Sequence, residues 1–319
     1  MKLRYIYDGP HLSLGDLSPL NGDFFPLSCL ISNDDVRTPD MLLNIVKKTI
    51  FLIVVSLFMS GCAKDLITGK KTLNYYNLQD EPKIGQYVLI EQERALKKQK
   101  KEIDPEKDKE ELERLRRIVA RLAAVSHYPD FPYEVHLADA DIVNAWCAPG
   151  GKIMVYTGLW DPKKGLVEKD NDDELAAVLS HEIAHATARH VTEAISRNMT
   201  IAFVGTAISS GIAAGGYQQG SDLFGQIFSE GMDIFVPSYS RKNEFEADSI
   251  GLMYMAKAGY DPRVAVELWK KAAHKRKDLT SIYASHPASG ERARHLEELL
   301  PMAMELYEAA QKADTSAHR

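Results

Sequence analysis

His181 and His185 lie four positions apart with Glu182 between them, and these three are the residues in the chain best suited to do chemistry. On a helix both imidazoles project from one face and can take adjacent corners of a tetrahedral metal site. Glu182 stands one position further round, beside the metal and not on it, where a carboxylate can take a proton from a water that the metal activates. This is the chemistry of amide hydrolysis without a covalent intermediate, and the cofactor it calls for is zinc, one ion per chain. H-E-x-x-H also arises by chance in charged helices, so a second feature must decide. A catalytic zinc needs a third protein ligand. The run Arg241 to Asp248 opens a helical segment in which Glu244 and Asp248, four apart, share a face while Glu246 points elsewhere.

The elements that must hold these groups can be read around them. Asp172, Asp173 and Glu174 suit the positive end of a helix that runs to about Asn198 and carries the motif. Charged residues from Glu81 to Lys101 read as a helix broken at Asp104-Pro105. In the next helix Leu112, Leu115, Ile118, Val119 and Leu122 recur at helical spacing and pack on one side. Three extended segments, Tyr133 to Ala138, Ile142 to Ala148 and Lys152 to Thr157, make a small sheet with Pro149-Gly150-Gly151 as a turn. Residues 200–237 are rich in glycine and alanine, and read as a buried helical hairpin or a mobile loop near the site. Three further helices start near Arg241, Pro262 and Gly290. The expected fold is α+β and mostly helical, a zincin-like metallopeptidase domain with one small β-sheet.

Composition sets the outer limits. The chain is 45% hydrophobic and 26% charged, enough to bury a substantial core. Its net charge is -6, and the basic residues form no stripe, which argues against nucleic acid as a partner. Cys29, Cys62 and Cys147 are far apart, so neither a disulfide framework nor a zinc knuckle is indicated. Cys147, within an apolar strand, reads as a small core residue.

Met41 starts a segment with Lys47 and Lys48, the apolar run Ile50 to Met59, and Ser60-Gly61-Cys62. A basic patch, an apolar stretch too short to span a bilayer, and small residues before a cysteine read as a secretory signal with a lipobox-like end. The expected organisation is therefore a misassigned or disordered extension over 1–40 and a signal over 41–61. A tether over 62–80, lipid-modified at Cys62, then leads into the catalytic domain over 81–319. This places the domain on the periplasmic side of a bacterial membrane, anchored by lipid at the outer membrane.

The motifs, taken in order, resemble a known family, the H-E-x-x-H metallopeptidases that include the CAAX prenyl protease and bacterial envelope quality-control peptidases. The resemblance rests on Thr68-Gly69-Lys70, Asn144-Ala145-Trp146, Pro149-Gly150-Gly151, His181 to His185, Asn243 to Asp248, and His286-Pro287 with Arg292. It implies that Glu244 is the third ligand and that Asp248 orients a ligating histidine. It also implies that the His286 loop approaches the zinc. There His286 either fills the fourth position or donates to an oxyanion with Arg292 nearby, unless it only caps a helix. Asn144, Ala145, Gly150 and Gly151 are assigned to substrate binding, with strand 152–157 as an exposed edge that a peptide extends. His190, five residues after His185, is expected to face away from the metal as a packing or capping residue.

The implied substrates are unfolded or misassembled envelope proteins. The competing reading is a metal-stabilised periplasmic chaperone or assembly adaptor. Glu182 argues against it, because a purely structural zinc site has no use for a free carboxylate at its side.

Overall fold

The computed structural model describes residues 71–209, 239–273 and 290–317, together with Ile45, Lys48, Thr49, 62–64, Ile67, Gly69, Ile282 and His286. The chain divides into two units, Met1–Met59 and Ser60–Arg319. In the first, Ile45, Lys48 and Thr49 are helical. The readings of 1–40, of the rest of the signal segment and of 210–237 lie outside the described residues.

In the second unit the residues read as a tether include a two-stranded antiparallel hairpin, β1 (Cys62–Lys64) and β2 (Lys71–Leu73). Helix α1 (Glu81–Lys98) follows, then β3 (Glu102–Ile103), α2 (Lys109–Ala124), β4 (Glu134–Asp139), β5 (Ala145–Ala148) and β6 (Lys152–Tyr156). The second half is helical: α3 (Asp172–Thr187), α4 (His190–Ser209), α5 (Arg241–Lys257), α6 (Pro262–Ala273) and α7 (Gly290–Ala317).

The sheet has the order β3-β4-β6-β5, with β4 and β6 parallel and the other pairs antiparallel. The edge-strand expectation fails here. Strand 152–157 is paired on both sides, by β4 and by β5, because the chain returns between them after the Gly150-Gly151 turn. The outer strand on the site's side is β5, which packs against α3.

Both faces of the sheet are covered, so β6 is apolar at every position from Ile153 to Tyr156. Ile153 and Val155 join the main core with Leu112, Leu115, Ile118, Val119 and Leu122 of α2 and the apolar residues of α3. Met154 and Tyr156 point the other way, to a second core with Ile84, Val88 and Leu89 of α1 and Val191 and Ile195 of α4. Helix α3 is buried from Leu175 to Thr187 on all sides, as its run of Ala, Leu and Val allows. Its start is fixed by Asn171, whose Oδ1 accepts from the Glu174 N–H at 3.1 Å.

Helix α5 packs on α3, and Gly251 lies against the backbone of His181. A Cβ there would stand 3.0 Å from Cα and N of His181. Only a residue without a side chain lets the two backbones meet this closely.

Candidate active site

One turn of α3 separates His181 from His185, and their Nε2 atoms lie 3.1 Å apart. Glu244, in the first turn of α5, brings Oε1 to 3.5 Å from His185 Nε2 and Oε2 to 3.5 Å from His181 Nε2. His286 adds its Nδ1, 3.2 Å from His181 Nε2 and 3.1 Å from Glu244 Oε1. All four side chains are buried, and one ligand atom from each lies within 4.8 Å of the others. A tetrahedron with arms of 2.0–2.1 Å has edges of about 3.3 Å, so the separations are those of four ligands around one zinc ion.

The tautomers agree. His181 Nδ1 lies 3.0 Å from Asp248 Oδ1, the side on which a ligating imidazole would keep its proton, so Nε2 is the atom that can offer a lone pair to the cluster. Burial pulls the His185 imidazole well below its ordinary pKa, with His181, His190 and His286 pushing the same way against Glu244. A neutral imidazole is the ligating form. Burial raises Glu244, but His286, Arg292 and His181 outweigh it and hold the carboxylate well below its usual range. Two imidazole nitrogens and a carboxylate converging at these distances are a donor set that fits zinc.

Arg292 of α7 stands behind the ligands. Its Nε donates to Asp248 Oδ2 at 2.7 Å and Nη2 to Asp248 Oδ1 at 2.6 Å, while Nη1 lies 2.6 Å from Glu244 Oε2. Its guanidinium lies over the Trp269 ring, 4.6 Å from the centroid. Its charge is thus placed against the carboxylates of Glu244 and Asp248.

Glu182 is fully buried beside the cluster and is not one of its ligand atoms. Burial raises its pKa to about 7, with His286 and the backbone N–H of Cys147 opposing and Glu244 assisting. His286 Nε2 lies 3.3 Å from its Oε1. Cys147 itself is buried and its thiol is pushed well above the ordinary value by burial, an inert core residue as expected.

The four residues assigned to substrate binding lie around β5. Asn144 precedes it, buried, with Oδ1 accepting from the Ala145 N–H at 2.9 Å. Gly150 and Gly151 form the β5–β6 turn at φ of 70° and 85°, and a side chain on either would strike Pro82 or the Tyr133 ring. Glycine is required there by conformation and by space.

Two site residues escaped the sequence reading. Tyr239 stacks on His185 with centroids 3.7 Å apart and planes 19° apart. His190 was expected to face away; it is not a ligand, but its Nδ1 lies 2.9 Å from His185 Nδ1. The helix expected to run to Asn198 ends at Thr187, and the break turns His190 back toward the site.

An H-E-x-x-H helix, a carboxylate from a second helix and a buried non-ligating glutamate define a metallopeptidase site on an α+β scaffold. The match to known proteins is of the same kind: residues 109–300 fit the model of Peptidase family M48, and the chain belongs to that family. It is 36% identical over 196 residues to the mitochondrial metalloendopeptidase OMA1 of Arabidopsis thaliana, covering 60% of this chain and 37% of that protein. To the Schizosaccharomyces pombe protein of the same name it is 37% identical over 205 residues, 63% of this chain and 54% of the relative. To the beta-barrel assembly-enhancing protease of Yersinia pestis it is 30% identical over 171 residues, 52% of this chain and 32% of the relative. The chain thus spans about a third to a half of these relatives.

Proposed function

We propose that the chain is a zinc-dependent endopeptidase that cuts unfolded or misassembled envelope proteins on the periplasmic side of a bacterial membrane. The observation that carries the activity is Glu182, a buried carboxylate beside four convergent ligand atoms and not among them. A chaperone or adaptor with a purely structural metal has no need of it.

His181, His185 and Glu244 would hold the zinc, which when bound would supply Lewis acidity toward the scissile carbonyl and the attacking water. Glu182 takes the proton of the attacking water. Burial raises its pKa, which favours returning that proton to the leaving amine nitrogen. Arg292 and Asp248 keep Glu244 and His181 in ligating form and orientation. His286 Nδ1, 3.2 Å from His181 Nε2, is near enough to serve as a fourth ligand, and if it did, the imidazole would have to withdraw before a carbonyl could enter.

A substrate strand aligns on the outer edge of β5, with Asn144 and Ala145 at its start; among the described residues β5 has one strand partner, β6. Main-chain pairing gives affinity with little sequence preference, which suits unfolded substrates. The name of one group of relatives, the beta-barrel assembly-enhancing protease, supports an envelope substrate, while the OMA1 relatives are named as mitochondrial. The lipobox-like Met59 to Cys62 supports a lipid anchor at Cys62 in the outer membrane.

The test is cleavage of an unfolded outer-membrane protein by the purified chain, with and without chelator, beside Glu182→Gln. The glutamine keeps shape and zinc but removes the base, so a loss of about 10²–10⁴-fold in kcat with zinc still bound is expected. Retained turnover in a zinc-loaded Glu182→Gln protein refutes the mechanism.

A further inference from the structure

His181 has a partner for its non-ligating nitrogen in Asp248, and His185 needs one too. Its Nε2 faces the cluster, so its Nδ1 carries the proton. The atom that meets it is Nδ1 of His190, 2.9 Å away, in a ring 2% exposed and inclined 70° to that of His185. A histidine accepting at Nδ1 carries its own proton on Nε2, and His190 Nε2 lies 3.7 Å from Glu246 Oε2, a charge contact too long for a hydrogen bond. The order from the cluster outward is imidazole, imidazole, carboxylate.

The backbone is bent to make this contact. On an unbroken helix residue 190 would stand about 140° around the axis from residue 185, out of reach. Instead Arg189 adopts φ 61°, a left-handed conformation that a residue with a side chain rarely takes. It is held there from outside the helix: Nε donates to the buried Glu81 Oε1 at 2.6 Å and Nη2 to Tyr76 O at 2.6 Å. Strained backbone that the surroundings fix in place clusters at functional sites. Here its effect is to turn His190 toward His185.

Resting on the assignment of His185 as a zinc ligand, we infer that His190, backed by Glu246, is a positioning residue that fixes the tautomer and ring orientation of His185. It does not ligate, since it lies on the far side of His185 from the cluster. Glu246 thus serves the site from the opposite face of α5 to Glu244 and Asp248, and each ligating histidine of α3 is backed by a carboxylate of α5, one directly and one through a second imidazole.

The experiment is a zinc titration of the full chain against a competing chelator, with the visible spectrum of the cobalt-substituted protein and the unfolding midpoint of the metal-free protein alongside. His190→Phe fills the space but accepts no hydrogen bond, and loss of such a supporting contact weakens metal binding about 10–100-fold. The metal-free midpoint should stay near wild type while the cobalt bands shift. His190→Asn, whose amide oxygen stands where Nδ1 stood, should recover part of the affinity, and Glu246→Gln should lose a smaller part. A folded His190→Phe protein with zinc affinity and cobalt bands within twofold of wild type overturns the inference, as does a His190→Asn protein no better than Phe. If His190→Phe does not fold, an unaltered zinc affinity in Glu246→Gln and His190→Asn together overturns it equally. A wild-type chain that takes up no zinc would instead remove the ligand assignment, and the same titration distinguishes the two failures.

Discussion

Gly251→Ala tests whether the α3–α5 contact sets the metal geometry. The new Cβ would lie 3.0 Å from Cα and N of His181 and 3.1 Å from the carbonyl carbon of Ser180, where ordinary contact begins at 3.4 Å. The obstructing atoms are helix backbone and cannot swing aside, so one helix must move by several tenths of an ångström. Overpacking of this kind costs about 1–3 kcal/mol. Alanine in place of glycine within a helix returns about 0.5–1 kcal/mol through chain entropy. Between the middles of these ranges the clash wins by about 1.2 kcal/mol, a fall of about 2–5 °C in the melting midpoint. The same shift separates His181 on α3 from Glu244 and Asp248 on α5, whose nearest atoms now lie 3.5 Å and 3.0 Å from its ring nitrogens. Zinc affinity should fall as well. Thermal unfolding of the metal-free protein and chelator competition read the two effects separately. A midpoint equal to or above wild type, as an unobstructed Gly→Ala in a helix would give, refutes the argument.

Two further tests address access and anchoring. His286→Ala should raise peptide hydrolysis, by about tenfold if the closed arrangement holds about 90% of the molecules, because His181, His185 and Glu244 remain to bind zinc; a fall in activity at full zinc occupancy would assign His286 to the transition state instead. Cys62→Ala should leave the membrane fraction and change the mass of the processed N-terminus, and unchanged membrane attachment with unchanged processing would contradict lipid anchoring.

That His181 pairs with His185, and Glu244 with Asp248, was legible in the sequence because such spacing is a local property of helices, whereas which of them meet across two helices was given only by the family resemblance. Four residues bring His181 over His185 and Glu244 over Asp248 whatever the rest of the chain does. The apolar face of α2 and the acidic start of α3 were legible for the same reason. Pairing in the sheet was not. The sequence pattern gives three apolar extended runs, but which of them lies between the others depends on how the chain returns, and β6 came to rest between β4 and β5. The two-residue strand β3 was missed because its pairing depends on β4, more than thirty residues further along the chain.

The least legible feature was the break after Thr187, and its cause explains why. Neither glycine nor proline marks it; the turn is made by an arginine whose left-handed backbone is held by Glu81, 108 residues earlier in the chain. A local pattern cannot register an anchor at that distance, so the motif helix read as continuous and His190 read as facing away. Once the break is present, the helix stops two residues after His185 and the next one starts with a histidine against it. The zinc helix is thereby fixed at both ends of its ligand pair: Gly251 lets α5 close on His181, and Arg189 brings His190 onto His185. A buried ligand pair held from only one end could rotate about the helix axis and spoil a tetrahedron whose edges differ by tenths of an ångström. Support at both ends lets residues on two separate helices meet one small ion, and it leaves Glu182, between the two histidines, free of any ligating duty.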